Sequence, residues 1–187
     1  DSAYQARAAF SEMIIRDLQS GALHPRYYAF LFLLAHEPEK DLLRQTKSFL
    51  KKHAAVNHGS VTQKSYIEMS LVQLIHLLAN HPDFGVEDDE IRLFIPFIEL
   101  FLSCVATSEN ISFLYHIAQK IKATTDVTNP ENSKNSYILS DLTCTLIRQK
   151  CKTSSWSLTS YPGRVKLYSE LYKTLATTEQ QTEVSRA

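Results

Sequence analysis

Histidine and glutamate side chains occur in arrangements that approach metal sites without completing one. His36-Glu37 begins like the helix of a zinc protease, yet Lys40 stands where the second histidine is required and Pro38 breaks the turn. Other histidines recur five residues apart, as His53 with His58 and His76 with His81. That spacing places the two rings about 140° apart around a helix rather than on one face. We expect no metal centre.

A run of carboxylates could suggest calcium. Asp83 is followed by four consecutive acidic residues at 87–90. The glycine and the alternating ligand spacing of a calcium-binding loop are missing. Carboxylates just before and within the first turn of a helix interact favourably with its positive end, and the sequence favours this interpretation.

Enzymatic signatures are absent from the sequence. The four glycines are too scattered to form a phosphate-binding loop or a nucleophile elbow. The three cysteines, Cys104, Cys144 and Cys151, show no CxxC spacing and are expected to be reduced thiols. No catalytic group, cofactor or small-molecule substrate is predicted, and we expect a protein that is not an enzyme.

Basic and aromatic residues leave alternatives open. Lys47, Lys51, Lys52 and His53 form one basic helix end, and Arg148, Lys150 and Lys152 form another. Cations at helix C-termini are common for electrostatic reasons, and contact with phosphate or DNA is the alternative. Trp156 and Tyr161 lie in an irregular segment that predicts either a lid on the last helical pair or an anchor for a bound peptide.

Composition limits the class of protein. The chain has 187 residues, enough for one domain, and its 20 basic and 20 acidic residues cancel. The chain as a whole therefore has no electrostatic signature of nucleic-acid or membrane binding. The first residues lack the basic start and apolar run of a secretory leader. Because it begins with Asp1, we expect a piece of a larger protein.

The elements that would position these residues are helices organised around 65–105. Two apolar segments in this stretch are joined by a hinge at 80–85, and the second is apolar nearly all round. That second segment contains Arg92 and Glu99 and is too short to span a membrane. We predict that it is the buried central helix and that Pro96 bends it.

Helical spacing recurs along the rest of the chain. Apolar stripes predict helices near 3–19 (Phe10, Met13, Ile14, Leu18), 27–35, 42–53, 111–121 and 138–147. Gly21 is a natural helix end, Ser60 with Gln63 has capping-box spacing, and Asn110 or Ser108 is expected to cap a helix. The segment 124–134 is predicted to be a loop, and a short helix is expected at 169–175.

These features predict an all-α fold. Six or seven helices joined by short turns are expected to pack as antiparallel pairs. Pairs recurring about every 40 residues favour a HEAT-like helical-repeat solenoid over an irregular bundle. Residues 1–175 would form this helical fragment, and 176–187, which lack apolar spacing, are expected to be a disordered tail.

Several motifs occur together in a recognisable order. The segment His76-Leu77-Leu78-Ala79-Asn80-His81-Pro82-Asp83-Phe84 resembles a signature of the cohesin-associated precocious-dissociation-of-sisters family. Further similar segments occur at 23–30, 35–40, 120–122, 125–126, 130–134 and 140–142. The similarity covers roughly 4–172. The chain departs from the family pattern at Asn80-His81, which replaces a more acidic linker, and at 156–166.

The resemblance implies the C-terminal part of a HEAT-repeat array in a nuclear, chromosome-associated protein. Proteins of this kind bind the kleisin subunit of cohesin, act with release and acetylation factors, and control sister chromatid cohesion. They would reach chromatin indirectly, without a membrane.

A solenoid leaves its turns and polar ends exposed, where a peptide can lie. We therefore expect a partner contact at Lys51, Lys52, Asp83 and Phe84. The competing class is a generic HEAT-repeat adaptor or transport scaffold that binds peptide segments of other proteins.

Overall fold

The computed structural model describes residues 2–57 and 66–175. The α-helices are α1 (Ser2–Gln19), α2 (Ala29–Phe32), α3 (Lys40–Asn57), α4 (Tyr66–Ala79), α5 (Asp88–Arg92), α6 (Ile95–Val105), α7 (Ile111–Ile121) and α8 (Ser133–Ser154). Three 3-10 helices span Pro25–Tyr28, Leu33–His36 and Pro130–Asn132, and two strands are β1 (Thr124–Asp126) and β2 (Tyr172–Thr174). The prediction of an all-α helical-repeat fold is confirmed.

Helix α1 follows the predicted bounds, but its buried face differs from the predicted one. Ile14 and Leu18 are buried, whereas Phe10 and Met13 are each 41% exposed. Ser11 is buried instead, because it faces Thr46 of α3 across 3.5 Å. The helix ends before Gly21, whose φ of 74° lies in the left-handed region that glycine adopts at low cost.

The next helical segment is shorter and tighter than a single α-helix. The 3-10 turn Pro25–Tyr28 starts at a proline, and the His24 ring accepts a hydrogen bond from the Arg26 amide at its N-terminus. One α-helical turn and a second 3-10 turn then bury Leu31 and Phe32 completely. Helix α3 follows as predicted and buries Leu42, Thr46 and Leu50.

The central helix of the stack is α4, which corrects the prediction that the second apolar segment holds that place. Ile67, Leu71, Leu74, Ile75 and Leu78 are fully buried on α4. The same helix also buries the polar residues Glu68, Gln73 and His76, whose presence makes its sequence look amphipathic. It packs against the 25–28 turn, α2, α7 and α8, so neighbours surround it.

The second apolar segment is broken rather than bent. Helix α5 ends at Arg92 and α6 begins at Ile95, with Pro96 in its first turn, where a missing amide costs no hydrogen bond. Leu93, at the break, is 59% exposed. Helix α6 is still strongly buried on one side, where Phe101 meets Phe32 at 4.9 Å between ring centres.

A small antiparallel sheet takes part of the predicted loop at 124–134 and replaces the predicted helix at 169–175. Within 124–134, residues 124–126 form β1, 127–129 remain non-regular, and the 3-10 turn Pro130–Asn132 leads into α8. Strand β1 pairs with β2 in the register Thr125 opposite Lys173. The amide of Val127 donates to the Leu171 carbonyl (2.9 Å) and extends the pairing. Two three-residue strands from distant parts of the chain carry no alternating pattern long enough to be recognised.

The other long helices pack on one another as well as on α4. Helix α3 packs on α6, and α6 packs on α8, while α7 lies against both α4 and α8. Among the described residues, no helix combines the length and hydropathy needed to cross a membrane. The predicted capping box at Ser60 and Gln63 and the predicted disordered tail at 176–187 lie outside the described residues.

Candidate interaction surfaces

The hinge after α4 exposes Asp83 but holds Phe84 in place. The Asp83 amide donates to Nδ1 of His81 (3.1 Å), which closes the turn, and the Asp83 side chain is exposed. The Phe84 ring is half-buried against Phe94, with ring centres 4.9 Å apart. Phe84 is therefore partly structural, and Asp83 is the better candidate for contact with a partner.

The acidic run begins α5, as the sequence predicts. The Glu87 carboxylate accepts from the backbone of Glu90, and the Glu90 carboxylate accepts from the Glu87 amide (3.2 Å), which together form a capping box. Asp88 and Asp89 occupy the first turn, at the positive end of the helix. Local helix electrostatics account for these carboxylates without a calcium ion.

His36 and Glu37 serve structural roles in separate contacts. The His36 Nε2 atom lies 2.9 Å from the Leu93 carbonyl, and its ring packs edge-on against Phe97. The buried Glu37 carboxylate accepts two hydrogen bonds from the Arg7 guanidinium, at 2.7 and 3.2 Å. This hydrogen bonding lowers the pKa of Glu37. Within residues 2–57 and 66–175, no three His, Cys, Asp or Glu side chains come together as metal ligands.

Lys51 and Lys52 lie on the exposed side of α3, separate from the hinge. Lys51 lines a shallow groove with Lys40, Arg44 and Lys47, all from the same helix. In the part of the chain that the structure describes, no hydrogen bond, ion pair or ring contact joins Lys51 or Lys52 to Asp83 or Phe84. The predicted contact residues therefore form two patches. Lys40 and Arg44, which the sequence analysis did not single out, line the same groove as Lys51.

The most densely bonded polar group is the carboxylate of Asp126, which is 1% exposed. Its Oδ1 accepts from the Thr128 amide (2.8 Å), the Thr128 hydroxyl (2.7 Å) and the Asn129 amide (2.9 Å). Its Oδ2 accepts from Asn80 Nδ2 (2.9 Å) and lies 3.2 Å from Nε2 of His76. We call Asp126 with Asn80, His76 and Thr128 the Asp126 junction, and it fastens the end of α4 to β1.

The ionised form of Asp126 is favoured despite its burial. Burial by itself raises the pKa of this carboxyl. The hydrogen bonds from Asn129, Thr128 and Asn80, together with the charge of His76, lower it by more, so the pKa of Asp126 lies below its usual value. Asn80 also accepts, through Oδ1, from Asn129 Nδ2 (2.7 Å) and Asn132 Nδ2 (2.9 Å). Asn80, where the chain departs from the family pattern, therefore links the end of α4 to Asp126, Asn129 and Asn132.

A second polar contact fixes the other end of α4. Asn110 donates from Nδ2 to Glu68 Oε1 (3.1 Å) and to the Val105 carbonyl (2.9 Å). Asn110 does lie at the N-cap position of α7, but its Oδ1 accepts from the Thr107 amide (2.8 Å) rather than from the helix. The residue predicted as a cap therefore links α4, α6 and α7.

The segment after α8 covers α7, which supports the lid interpretation over the peptide anchor. The Tyr161 ring packs on Phe113 with centres 5.0 Å apart, and the Thr159 amide donates to Ser112 Oγ (3.0 Å). Lys120 donates to the carbonyl of Val165, which is buried. These contacts bring the chain back to β2.

The three cysteines are free and buried. Burial raises the pKa of each thiol, and that of Cys144 reaches about 11. Such thiols stay protonated near neutral pH and are poor nucleophiles.

Comparison with known proteins adds what the geometry does not. A sequence model of the family described as sister chromatid cohesion protein PDS5 matches residues 1–173. The sister chromatid cohesion protein pds5 of Schizosaccharomyces pombe is 31% identical over 185 residues, which is 98% of this chain and 15% of that protein. The PDS5 protein of Saccharomyces cerevisiae is 23% identical over 207 residues, with 96% of this chain and 16% of that protein covered. Human PDS5 homolog A is 28% identical over 167 residues, with 80% and 12% covered. The chain spans only 12% to 16% of the length of these relatives.

Proposed function

The chain belongs to the PDS5 family of sister chromatid cohesion proteins, and on that premise we propose that it acts in the regulation of sister chromatid cohesion. In this proposal it is a non-catalytic scaffold segment that binds the kleisin subunit of cohesin and acts with release, maintenance and acetylation factors. Its place of action would be the nucleus, on chromosomes, with chromatin contacted through cohesin.

The observation that carries this proposal is the family relationship, which extends over nearly the whole chain rather than over one motif. The fold is compatible with it, because stacked helices present long surfaces on which a peptide segment can lie. The buried thiols and the structural roles of His36, Glu37 and Asp126 also fit a binding protein, since these groups are engaged within the fold.

A direct binding measurement tests the proposal. This chain is immobilised and exposed to recombinant kleisin from the same organism, and the full-length S. pombe relative with its own kleisin is run in parallel. Binding by the chain supports the proposal. Binding by the relative alone removes the kleisin contact from this chain. Binding by neither overturns the cohesin role and leaves a generic helical adaptor.

Within this function, we propose that Lys51, Lys52, Asp83 and Phe84 contact the partner as two separate patches. Exposure supports the two lysines and Asp83 in this role. Phe84 is half-buried and would contribute through the part of its side chain that remains exposed.

Charge variants separate the two patches. Lys51→Glu with Lys52→Glu tests the α3 patch, and Asp83→Lys tests the hinge without removing the Phe84 packing. We expect each variant to weaken kleisin binding by at least about tenfold, which corresponds to about 1.4 kcal/mol, since placing like charges across an interface is unfavourable. Unchanged binding in both variants would place the contact elsewhere.

A further inference from the structure

Helix α3 carries a continuous basic stripe. Lys40, Arg44, Lys47 and Lys51 follow one another at intervals of four, three and four residues, which keeps them on one face of the helix. Together with Leu43 and Ser48 they line a groove of about 520 Å³. From the first to the last of these cations the helix rises roughly 17 Å.

Most of this charge is not neutralised within the fold. Across residues 2–57 and 66–175, no ion pair engages Lys40, Lys47 or Lys51. Arg44 pairs with Asp41 one turn earlier at 2.9 Å, and both side chains are more than 70% exposed. An exposed pair of this kind is worth little and leaves Arg44 available.

Helix electrostatics do not explain the stripe. Cations in the last turn of a helix are stabilised by its negative pole, but α3 continues to Asn57 and has no basic residue in its last turn, which also corrects the prediction that Lys51 and Lys52 form a basic helix end. Lys40 is the first residue of α3 and Arg44 follows one turn later, where the positive pole disfavours cations. A basic stripe along the whole helix therefore has a different origin.

A second groove with a cation lies on the other side of α6. Helix α3, which carries Lys47 and Lys51, packs on α6, and α6 packs on α8. Ser103 of α6 lines a groove of about 240 Å³ between α6 and α8, together with Lys150. Glu99 is the acidic residue of this groove, whose walls include Leu102 and Leu146.

Lys150 is held in a defined position. Its ammonium lies 5.2 Å from the centre of the Trp156 ring, so the charge is oriented at the groove by a cation–π contact. We use the term basic face for Lys40, Arg44, Lys47, Lys51 and Lys150.

We propose that the basic face binds an acidic linear segment of a partner protein, which lies along α3 and reaches the groove between α6 and α8. The proposal rests on the proposed function only in taking the partner to be a protein. An extended segment of about five residues spans the stripe on α3, at roughly 3.3 Å per residue. Its carboxylates would meet the unpaired cations, and its apolar side chains would meet Leu43, Leu102 and Leu146.

A peptide fits this surface better than duplex DNA does. The grooves place apolar walls beside the cations, and a phosphate backbone offers nothing to bury against them.

Fluorescence anisotropy with defined probes tests the inference. The acidic probe is a fluorescein-labelled 20-residue peptide of Glu, Asp, Leu and Ser, and the neutral probe replaces Glu and Asp by Gln and Asn. We expect the wild-type chain to bind the acidic probe only, with affinity that falls as salt rises. Lys47→Glu with Lys51→Glu should weaken binding by about tenfold or more.

A matched variant controls for total charge. Lys134→Glu with Lys173→Glu makes the same change of charge at exposed lysines of the α8 N-terminus and β2, outside the basic face. It should bind the acidic probe within about twofold of wild type, since exposed charges beyond a Debye length are screened. Circular dichroism checks that both variants fold.

Four results would overturn the inference: no binding of the acidic probe by wild type, equal binding of the neutral probe, an equal loss in the two double variants, or tighter binding of a 20-base-pair duplex. Recombinant kleisin, used as a further ligand, separates this inference from the proposed function. If wild type does not bind the acidic probe and the Lys47→Glu with Lys51→Glu variant still binds kleisin, the basic-face inference is wrong and the proposed function stands. If wild type binds the acidic probe but not kleisin, the proposed function is wrong and the basic-face inference stands.

Discussion

The Asp126 junction and the basic face both carry charge, but the charge of the junction is paired within the fold and most of the charge of the basic face is not. At the junction a buried carboxylate is surrounded by donors from α4 and from the residues after β1. On the basic face, exposed cations on α3 lie beside one another with a single weak internal partner at Asp41.

The difference separates structure from interaction. A buried charge is tolerated only when the fold satisfies it, so the junction is part of what holds α4 and β1 together. Exposed cations that repel one another do not stabilise the fold, so their arrangement points to an external anion. Changes at the junction should therefore lower stability, and changes on the basic face should alter binding.

The largest loss of stability is expected from Asp126→Ala. Removing the carboxylate leaves the Thr128 and Asn129 amides and the Asn80 amide without their acceptor, and the free energy of unfolding should fall by roughly 3 kcal/mol or more. Urea denaturation measures it. Asp141→Ala, which removes an exposed partner of Lys122, should cost less than about 1 kcal/mol. Equal losses in the two variants would mean that the buried carboxylate of Asp126 contributes no more to stability than an exposed one.

A smaller loss, and one that depends on pH, is expected from Asn80→Asp. The new carboxylate would replace the donor that lies 2.9 Å from Asp126 Oδ2, at a cost of roughly 1–3 kcal/mol at neutral pH. The two carboxylates would then share a proton with a pKa above that of the unfolded chain, so the folded state binds more protons and the loss shrinks as pH falls. Denaturation at pH 7 and pH 5 measures this.

Asn80→Ala is the control for this charge effect. It removes the hydrogen bond to Asp126, and in addition those from Asn129 and Asn132, without adding a carboxylate. Its loss of stability should change little between the two pH values. A similar pH response in both variants would mean that Asp126 is not the partner.

His53 lies on α3 outside both regions, where its ring contacts the Tyr28 hydroxyl (3.0 Å) and Lys52 is its neighbour in the chain. Burial and then the Lys52 charge lower the pKa of His53. The unfolded state therefore binds the proton more readily, and stability should be full above about pH 6.5 and decline as pH falls through the folded pKa. Lys52→Gln should raise that pKa in an NMR titration, whereas Lys134→Gln should leave it unchanged.

The smallest effect on stability is expected from Lys47→Glu with Lys51→Glu. Lys51 is exposed and Lys47 is half-buried, and no ion pair engages either one, so the free energy of unfolding should change by less than about 1 kcal/mol. Thermal or urea denaturation beside the anisotropy measurement tests this. A large loss of stability would show that the basic face is structural and would remove the contrast.

Much of the fold could be predicted from local sequence because helical apolar spacing is itself local. The bounds of α1 and the buried residues of α3 follow from that spacing, with Gly21 as a stop. The sheet could not be predicted in this way, since β1 and β2 are each three residues long and lie about 45 residues apart. Their pairing exists because the segment after α8 returns over α7.

The candidate contact residues were only partly accessible to sequence reasoning. Lys51 and Lys52 stood out because they form the basic end of a predicted helix. Lys40 and Arg44, which line the same groove as Lys51, did not stand out, although their spacing of four residues was visible, because Glu39 and Asp41 beside them hide the stripe in the linear sequence. Lys150 joins the basic face only through the packing of α6 between α3 and α8.

The amino-acid sequence by itself determined the helical class, the family resemblance and most helix positions, because each depends on short-range patterns of residue type. The tertiary structure alone decided that α4 is the central helix. Glu68 and His76 make its sequence look half-exposed. Their other buried polar atoms, Glu68 Oε2 and His76 Nδ1, have no hydrogen-bond partner among the described residues. Asn110, Asp126 and Thr128 from distant segments supply the hydrogen bonds and charge at Glu68 Oε1 and His76 Nε2, and these contacts help both side chains to be buried.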